Sequence, residues 1–212
     1  MASNIREIVT ASDFMPELSP TDVADAVLAA RCLCAGGLRV IEFSMRTAVA
    51  PACIEAVRKA LPEATVGAGS LTRAVDFAAA DRAGAQFGST PGLTAELAAA
   101  SRGARFPLLP GVMTPTEVIT ARHAGFMVQK LIFAHQSAEL PMLKYLHNVF
   151  PDVAFVVSGD YTAQQIAEYL QLPNVVGVAG SWAALRDPIA GGDWPLLEAR
   201  SRQVAGLRRD AY

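Results

Sequence analysis

The sequence predicts a parallel (β/α)8 barrel of the TIM type in a single domain. Three observations predict it. Helical and strand-like stretches alternate along the chain, the alternation returns about every 20 to 25 residues, and the 212 residues leave room for eight such steps and little more. Parallel neighbours need crossover helices, and closing eight strands into a ring leaves no exposed edge. A doubly wound open sheet is the structural runner-up.

The domain is expected to span 1–212, with residues 1–18 an atypical N-terminal segment. Ile5 to Phe14 is expected to supply the first strand, although Thr10-Ala11-Ser12-Asp13 is polar and turn-like. Ser19-Pro20-Thr21-Asp22 offers a capping residue, a proline for the first helical position and an acid for the first turn. A helix is therefore expected through Val23, Ala26, Val27 and Ala30, closing at Gly36-Gly37 before a strand over 38–43. The same step repeats, with helix 48–61 before strand 64–69 and helix 72–83 before strand 85–88. Helix 94–102 then precedes strand 106–110, and Thr114-Pro115-Thr116-Glu117 opens a helix before strand 126–133. Helix 138–150 precedes strand 153–157, helix 162–172 precedes strand 175–179, and helix 195–209 closes the chain.

Composition narrows the function classes. Apolar residues make up 52% and charged residues 18%, which excludes a disordered chain. The net charge of −2 comes without a basic block, so no nucleic-acid partner is expected. No apolar stretch is long enough to span a bilayer and the first residues are polar, so no membrane association and a cytoplasmic location are expected. Cys32 and Cys34 point to different faces of a helix and, with Cys53, read as small core residues. His123, His135 and His147 lie twelve apart without carboxylates at ligand spacing, so no metal is expected and a metal-dependent aldolase or hydrolase is disfavoured.

Two charged residues interrupt apolar strands. Lys130, one of only three lysines, shares a strand face with Val128 and Ile132. Burial there is expected to lower its pKa and leave a neutral amine, the nucleophile an imine-forming enzyme needs. The bland alternative is a lysine paired with a carboxylate or reaching out from a strand end. Glu42, between Ile41 and Phe43, would point into the same interior and could shuttle protons, or simply form a buried ion pair with Lys130. Arg46 stands at the C-terminal end of the same strand, where barrel sites assemble, and its fork suits a carboxylate. Small and hydroxyl residues cluster at other strand ends: Gly69-Ser70, Ser89-Thr90-Pro91-Gly92, Pro110-Gly111-Val112-Met113-Thr114, Ser158-Gly159 and Gly180-Ser181-Trp182.

From about Ala26 to the last helix the sequence resembles the 2-keto-3-deoxy-6-phosphogluconate (KDPG) / 4-hydroxy-2-oxoglutarate (KHG) aldolase family. The resemblance is carried by Ala35-Gly36-Gly37-Leu38-Arg39-Val40-Ile41-Glu42 with Arg46-Thr47, by Val66-Gly67-Ala68-Gly69-Ser70, and by Gly84-Ala85-Gln86-Phe87 with Pro91-Gly92. Pro110-Gly111-Val112-Met113-Thr114 and Gly180-Ser181-Trp182 complete it. It implies a class I aldolase on a (β/α)8 barrel, homotrimeric and free of cofactors, cleaving a small 2-oxo acid to pyruvate and an aldehyde. Lys130 then matches the Schiff-base lysine, and Glu42 the proton shuttle that also takes the C4 hydroxyl proton, directly or through a water. Arg46 and Ser70 match the carboxylate site, Pro91 and Thr114 line the pocket, and Gly159, Gly180 and Ser181 belong to a distal phosphate site that Ser158 and Asp160 adjoin.

Two loops depart from the family pattern. Phe133 stands where a proline is usual and His135-Gln136 follow, while Val157-Ser158-Gly159-Asp160 replaces Pro-Thr-Gly-Gly. Asp160 argues against ordinary phosphate recognition unless it turns outward or caps the next helix. The competing expectations are therefore an aldolase for a non-phosphorylated 2-oxo acid and a non-catalytic binding relative.

Overall fold

A computed structural model describes residues 4–132, 139–180 and 183–207. A short helix α1 (Ile5–Thr10) comes first, then β1 (Phe14–Leu18), α2 (Val23–Ala35), β2 (Val40–Ser44), α3 (Ala50–Ala60), β3 (Thr65–Gly69) and α4 (Ala74–Arg82). There follow β4 (Phe87–Thr90), α5 (Ala95–Gly103), β5 (Leu108–Val112), α6 (Pro115–His123), β6 (Val128–Ile132) and α7 (Glu139–Val149). The chain continues with β7 (Ala154–Ser158), α8 (Ala163–Leu170), β8 (Val175–Gly180), α9 (Ala183–Gly191) and α10 (Trp194–Val204). The eight strands are parallel and close in chain order, β1 pairing with both β2 and β8. The ring is the expected barrel, and the open sheet is excluded.

The N-terminus corrects the sequence reading. Residues 5–10 form a helix, because the Asn4 side chain accepts from the Arg6 amide while Glu7 reaches back to the Asn4 amide. The first strand starts only at Phe14. The next helix begins later than Ser19 suggests: Asp22 caps it, accepting from Ala24 N at 2.7 Å and Asp25 N at 3.1 Å. Pro20 is thereby left in the loop. The helix α9 was not expected from the sequence, and Cys32 and Cys34 are only half-buried, unlike Cys53.

Side chains alternate between two cores. Ile41, Phe43, Leu131, Phe155 and Val157 face outward and pack under the helices. Met15, Val40, Phe87, Leu109, Val128, Ala154 and Val156 face inward, joined by Ile8 and Val9 of α1, which pack against the strand starts and fill the lower barrel. Gly67 makes room for the Phe87 ring, which a Cβ there would overlap. The inward residues of the next layer up are the charged ones.

Outward-facing Gln129 is fully buried, and its Nε2 donates to Val118 O at 3.2 Å and Phe126 O at 2.9 Å. It ties β6 to the middle of α6 and to the turn that follows that helix. Among the described residues no helix is long and apolar enough to cross a membrane.

Candidate active site

Three strands bring one lysine and two glutamates together. Lys130 on β6 points inward and is 4% exposed, with Nζ 3.0 Å and 3.2 Å from the two carboxylate oxygens of Glu42. Glu42 on β2 is opposite Glu17 on β1 in the strand register, so both carboxylates occupy one level of the barrel. Glu17 Oε1 lies 2.7 Å from Nζ. Two hydroxyls complete the cluster: Nζ donates to Ser89 Oγ at 3.4 Å, and Ser158 Oγ donates to Glu17 Oε1 at 2.7 Å. The Glu42 carboxylate fits because it lies against Gly69 of β3, where a Cβ would overlap it.

The electrostatics correct the expectation of a neutral amine. Burial disfavours charge on Lys130, but Glu17 and Glu42, by charge and by hydrogen bonds, outweigh it and hold the ammonium above the ordinary lysine pKa. A lone desolvated lysine would be neutral; one between two carboxylates is not. Burial raises Glu42, Glu17 adds to that, and Lys130 offsets only part, so Glu42 stays above the ordinary carboxylate value. Burial also acts on Glu17, yet the charge of Lys130, hydrogen bonds from Lys130 and Ser158, and the Arg46 charge pull it below that value. The two acids are thus pushed apart, which suits Glu42 to carry a proton and Glu17 to remain ionised.

Above the cluster a cavity of about 510 Å³ opens at the strand ends, lined among others by Glu17, Ser44, Arg46, Ser70 and Gly180. Arg46 is held by its neighbours: Nε donates to Ser44 Oγ at 2.9 Å and Nη2 to Ser19 Oγ at 3.1 Å. Ser44 Oγ in turn donates to Ser70 Oγ at 3.2 Å. Ser70 has φ +58°, a left-handed conformation that costs a non-glycine residue about 1 kcal/mol and recurs at ligand-binding turns. The fork of Arg46 and these hydroxyls thus share one wall of the cavity, donors of the kind that suit a carboxylate.

The remaining residues singled out by sequence are placed unevenly. Gly180 lines the cavity, with φ +149° and its α-carbon so close to the Gly159 carbonyl that a Cβ would overlap it. Ser158 is buried beside Glu17. Pro91, Thr114 and Asp160 are exposed and lie outside the residues lining the cavity. Thr114 caps α6, accepting from Glu117 N. Asp160 does not cap α8; Thr162 does, accepting from Gln165 N, while Thr162 N and Oγ1 donate to Gln165 Oε1. Ser181 and Trp182, and the remodelled 133–136 loop with Phe133, His135 and Gln136, lie outside the described residues.

The family model described as KDPG and KHG aldolase matches residues 5–199. The chain belongs to that aldolase family. A 2-dehydro-3-deoxy-phosphogluconate aldolase from Pseudoalteromonas atlantica is 35% identical over 202 residues, covering 95% of this chain and 94% of that protein. The crystal structure of KDPG aldolase from Legionella pneumophila, with pyruvate captured as a covalent carbinolamine, superposes with a TM-score of 0.91. It is 32% identical and covers 96% of this chain and 98% of its own. The Zymomonas mobilis ZM4 enzyme with 3-phosphoglycerate gives a TM-score of 0.90 at 32% identity, covering 98% of this chain and 97% of its own.

For this member of the aldolase family, sequence reading singles out Lys130 and Glu42 but passes over Glu17. The signal was available, a carboxylate between Pro16 and Leu18 much as Glu42 sits between Ile41 and Phe43. Reading 5–14 as the first strand concealed it by leaving Glu17 in a loop.

Proposed function

We propose that this chain is a class I aldolase that cleaves a 4-hydroxy-2-oxo acid to pyruvate and an aldehyde through an imine on Lys130. The observation that carries the proposal is the Lys130 ammonium held between two carboxylates beneath a cavity whose wall presents Arg46. An ammonium has no lone pair, so the first step is proton transfer from Nζ to Glu42, whose raised pKa makes it the better acceptor. The freed amine attacks the C2 ketone while Arg46, Ser44 and Ser70 hold the carboxylate. Glu42 then returns its proton to the departing hydroxyl, and water leaves a protonated imine. That cation draws electrons from the C3–C4 bond as the C4 hydroxyl loses its proton. The resulting enamine is protonated at C3 and hydrolysed to pyruvate. The reading requires no resident cofactor. A homotrimer in the cytoplasm belongs to the same reading on the family resemblance.

Borohydride reduction in the presence of pyruvate tests this. One pyruvyl adduct on Lys130 is expected by peptide mass mapping, and a folded protein that gains none overturns the reading. Arg46→Gln should raise the pyruvate concentration for half-maximal trapping about tenfold to a hundredfold, the effect of losing a charge-assisted contact of roughly 1.5 to 3 kcal/mol. An unchanged concentration removes Arg46 from the carboxylate site.

A second reading, a non-phosphorylated substrate, is favoured by the start of α8. The Thr162 amide and the Gln165 amide are both bound within the helix's own capping box. Asp160 adds negative charge at the same turn. Donors already engaged beside a carboxylate suit a phosphate dianion poorly. Comparing KDPG with 4-hydroxy-2-oxoglutarate decides between the two: this reading expects the higher kcat/KM for the substrate without phosphate.

A further inference from the structure

Glu17 and Glu42 both touch Lys130 but face different surroundings. The Glu17 side chain is 27% exposed and lines the cavity; the Glu42 side chain is 3% exposed and does not. Lys130, too, lies behind the lining residues, so Glu17 is the member of the cluster that the cavity reaches and a substrate entering there meets it before Nζ. Ser158, hydrogen-bonded to Glu17, ends β7, and going round the ring it is separated from β2 by β1 and β8. With C2 bonded to Nζ and the C1 carboxylate on Arg46 at the end of β2, the substrate's C3 and C4 extend away from β2. They run toward the Glu17–Ser158 pair.

We infer that Glu17, supported by Ser158, binds the C4 hydroxyl of the substrate and accepts its proton as the C3–C4 bond breaks. The inference rests on the aldolase reading and divides the acid–base work of that site between its two carboxylates. Glu42 serves the protons of Nζ, the C2 oxygen and C3; Glu17 serves the C4 oxygen alone. In the cleavage step the proton moves from the C4 oxygen to a Glu17 oxygen and the O–H electron pair becomes the second bond of the aldehyde carbonyl. The C3–C4 pair becomes the C2–C3 double bond, and the C=N pair returns to nitrogen. The proton then passes from Glu17 through a cavity water to Glu42, which delivers it to C3, so both carboxylates end the turnover ionised. The charged groups facing Glu17 are Lys130 from β6, Glu42 from β2 and Arg46 beyond the end of β2. Glu17 is held below the ordinary carboxylate value, so it is ionised at neutral pH when a hydroxyl arrives.

Two partial reactions separate this role from a merely structural one. Exchange of the pyruvate methyl hydrogens with deuterium needs the imine and the enamine but no C4 hydroxyl; cleavage of 4-hydroxy-2-oxoglutarate needs all three. In Glu17→Gln, cleavage should fall about a hundredfold or more beyond any change in methyl exchange, the range for loss of a general base, because exchange feels Glu17 only through the charge on Nζ. Equal losses in both reactions, or no loss in either, overturn the inference. Ser158→Ala should show the same split with a smaller loss, about tenfold in cleavage, and it decides the matter if Glu17→Gln does not fold. Cleavage by Ser158→Ala at the wild-type rate overturns the inference. If the wild-type protein itself neither exchanges the methyl hydrogens nor forms the borohydride adduct, the aldolase reading has failed. If it does both and the variants show no split, only the role of Glu17 has.

Discussion

Lys130→Met should abolish both the borohydride adduct and cleavage, and should also lower stability at neutral pH by about 3 kcal/mol. The second effect follows from what is left behind. Glu17 and Glu42 occupy one level of the barrel and share this lysine as their common cation. Methionine fills the space but cannot compensate two buried carboxylates, so one of them must take up a proton. In a chain of this length 3 kcal/mol corresponds to a fall in melting temperature of roughly 6 to 12 °C.

The pH dependence has a definite sign. Lys130 is raised above its ordinary 10.5, so its contribution to stability is complete below that value and is lost as pH rises through the folded pKa. Glu17 is lowered from its ordinary 4.5, so its contribution is present above that value and is lost as pH falls through the folded pKa. Glu42, raised, works in the opposite direction: its folded pKa lies above the unfolded one, and ionising it costs stability at neutral pH. The gap between wild type and Lys130→Met should therefore be widest near neutrality and narrow in acid, where the stranded carboxylates are protonated. Thermal unfolding across pH 4 to 8 measures it. A gap that stays constant or widens toward acid contradicts the charge cluster described here, and an adduct that persists in the variant removes Lys130 from the chemistry.

Glu42→Gln carries the second large effect. The side chain keeps its shape, and its amide can still meet Ser89, but it cannot take the proton that makes Nζ nucleophilic. Borohydride trapping, methyl exchange and cleavage should all fall, each by about a hundredfold to ten-thousandfold. The uniform loss distinguishes Glu42 from Glu17, whose removal should weigh on cleavage far more than on the first two. If trapping proceeds at the wild-type rate in Glu42→Gln, another group prepares the amine, and Glu17, at 2.7 Å from Nζ, becomes the candidate.

The barrel itself was legible because each repeat carries its own local signals. Thr114-Pro115-Thr116-Glu117 places the start of α6, and Gly36-Gly37 the end of α2, without reference to the rest of the chain. The meeting of Lys130 and Glu42, 88 residues apart, was legible because two strands each carried one charge on an otherwise apolar inward face and a closed ring has a single interior. Glu17 was not legible for a local reason. The capping pair Asn4 and Glu7 takes 5–10 into a helix, and this sets where β1 begins and which of its residues turn inward. Glu17 also bears on the protonation of Lys130, since the two carboxylates together, by charge and by hydrogen bond, outweigh the effect of burial. The uses of Ser158 and Thr162 depended on partners in other elements or on side-chain rotamers, which spacing does not encode.

Neighbouring positions on β6 serve separate masters, with Lys130 turned to the carboxylates inside the barrel and Gln129 fastened to the backbone of the surrounding layer. A slip of the strand by one residue would exchange them, and the amide clasp opposes it. Replacing Lys130 therefore disturbs the charge cluster but leaves the anchorage of its strand intact. The hold that keeps this strand in place is thus separate from the charges gathered on its inner side.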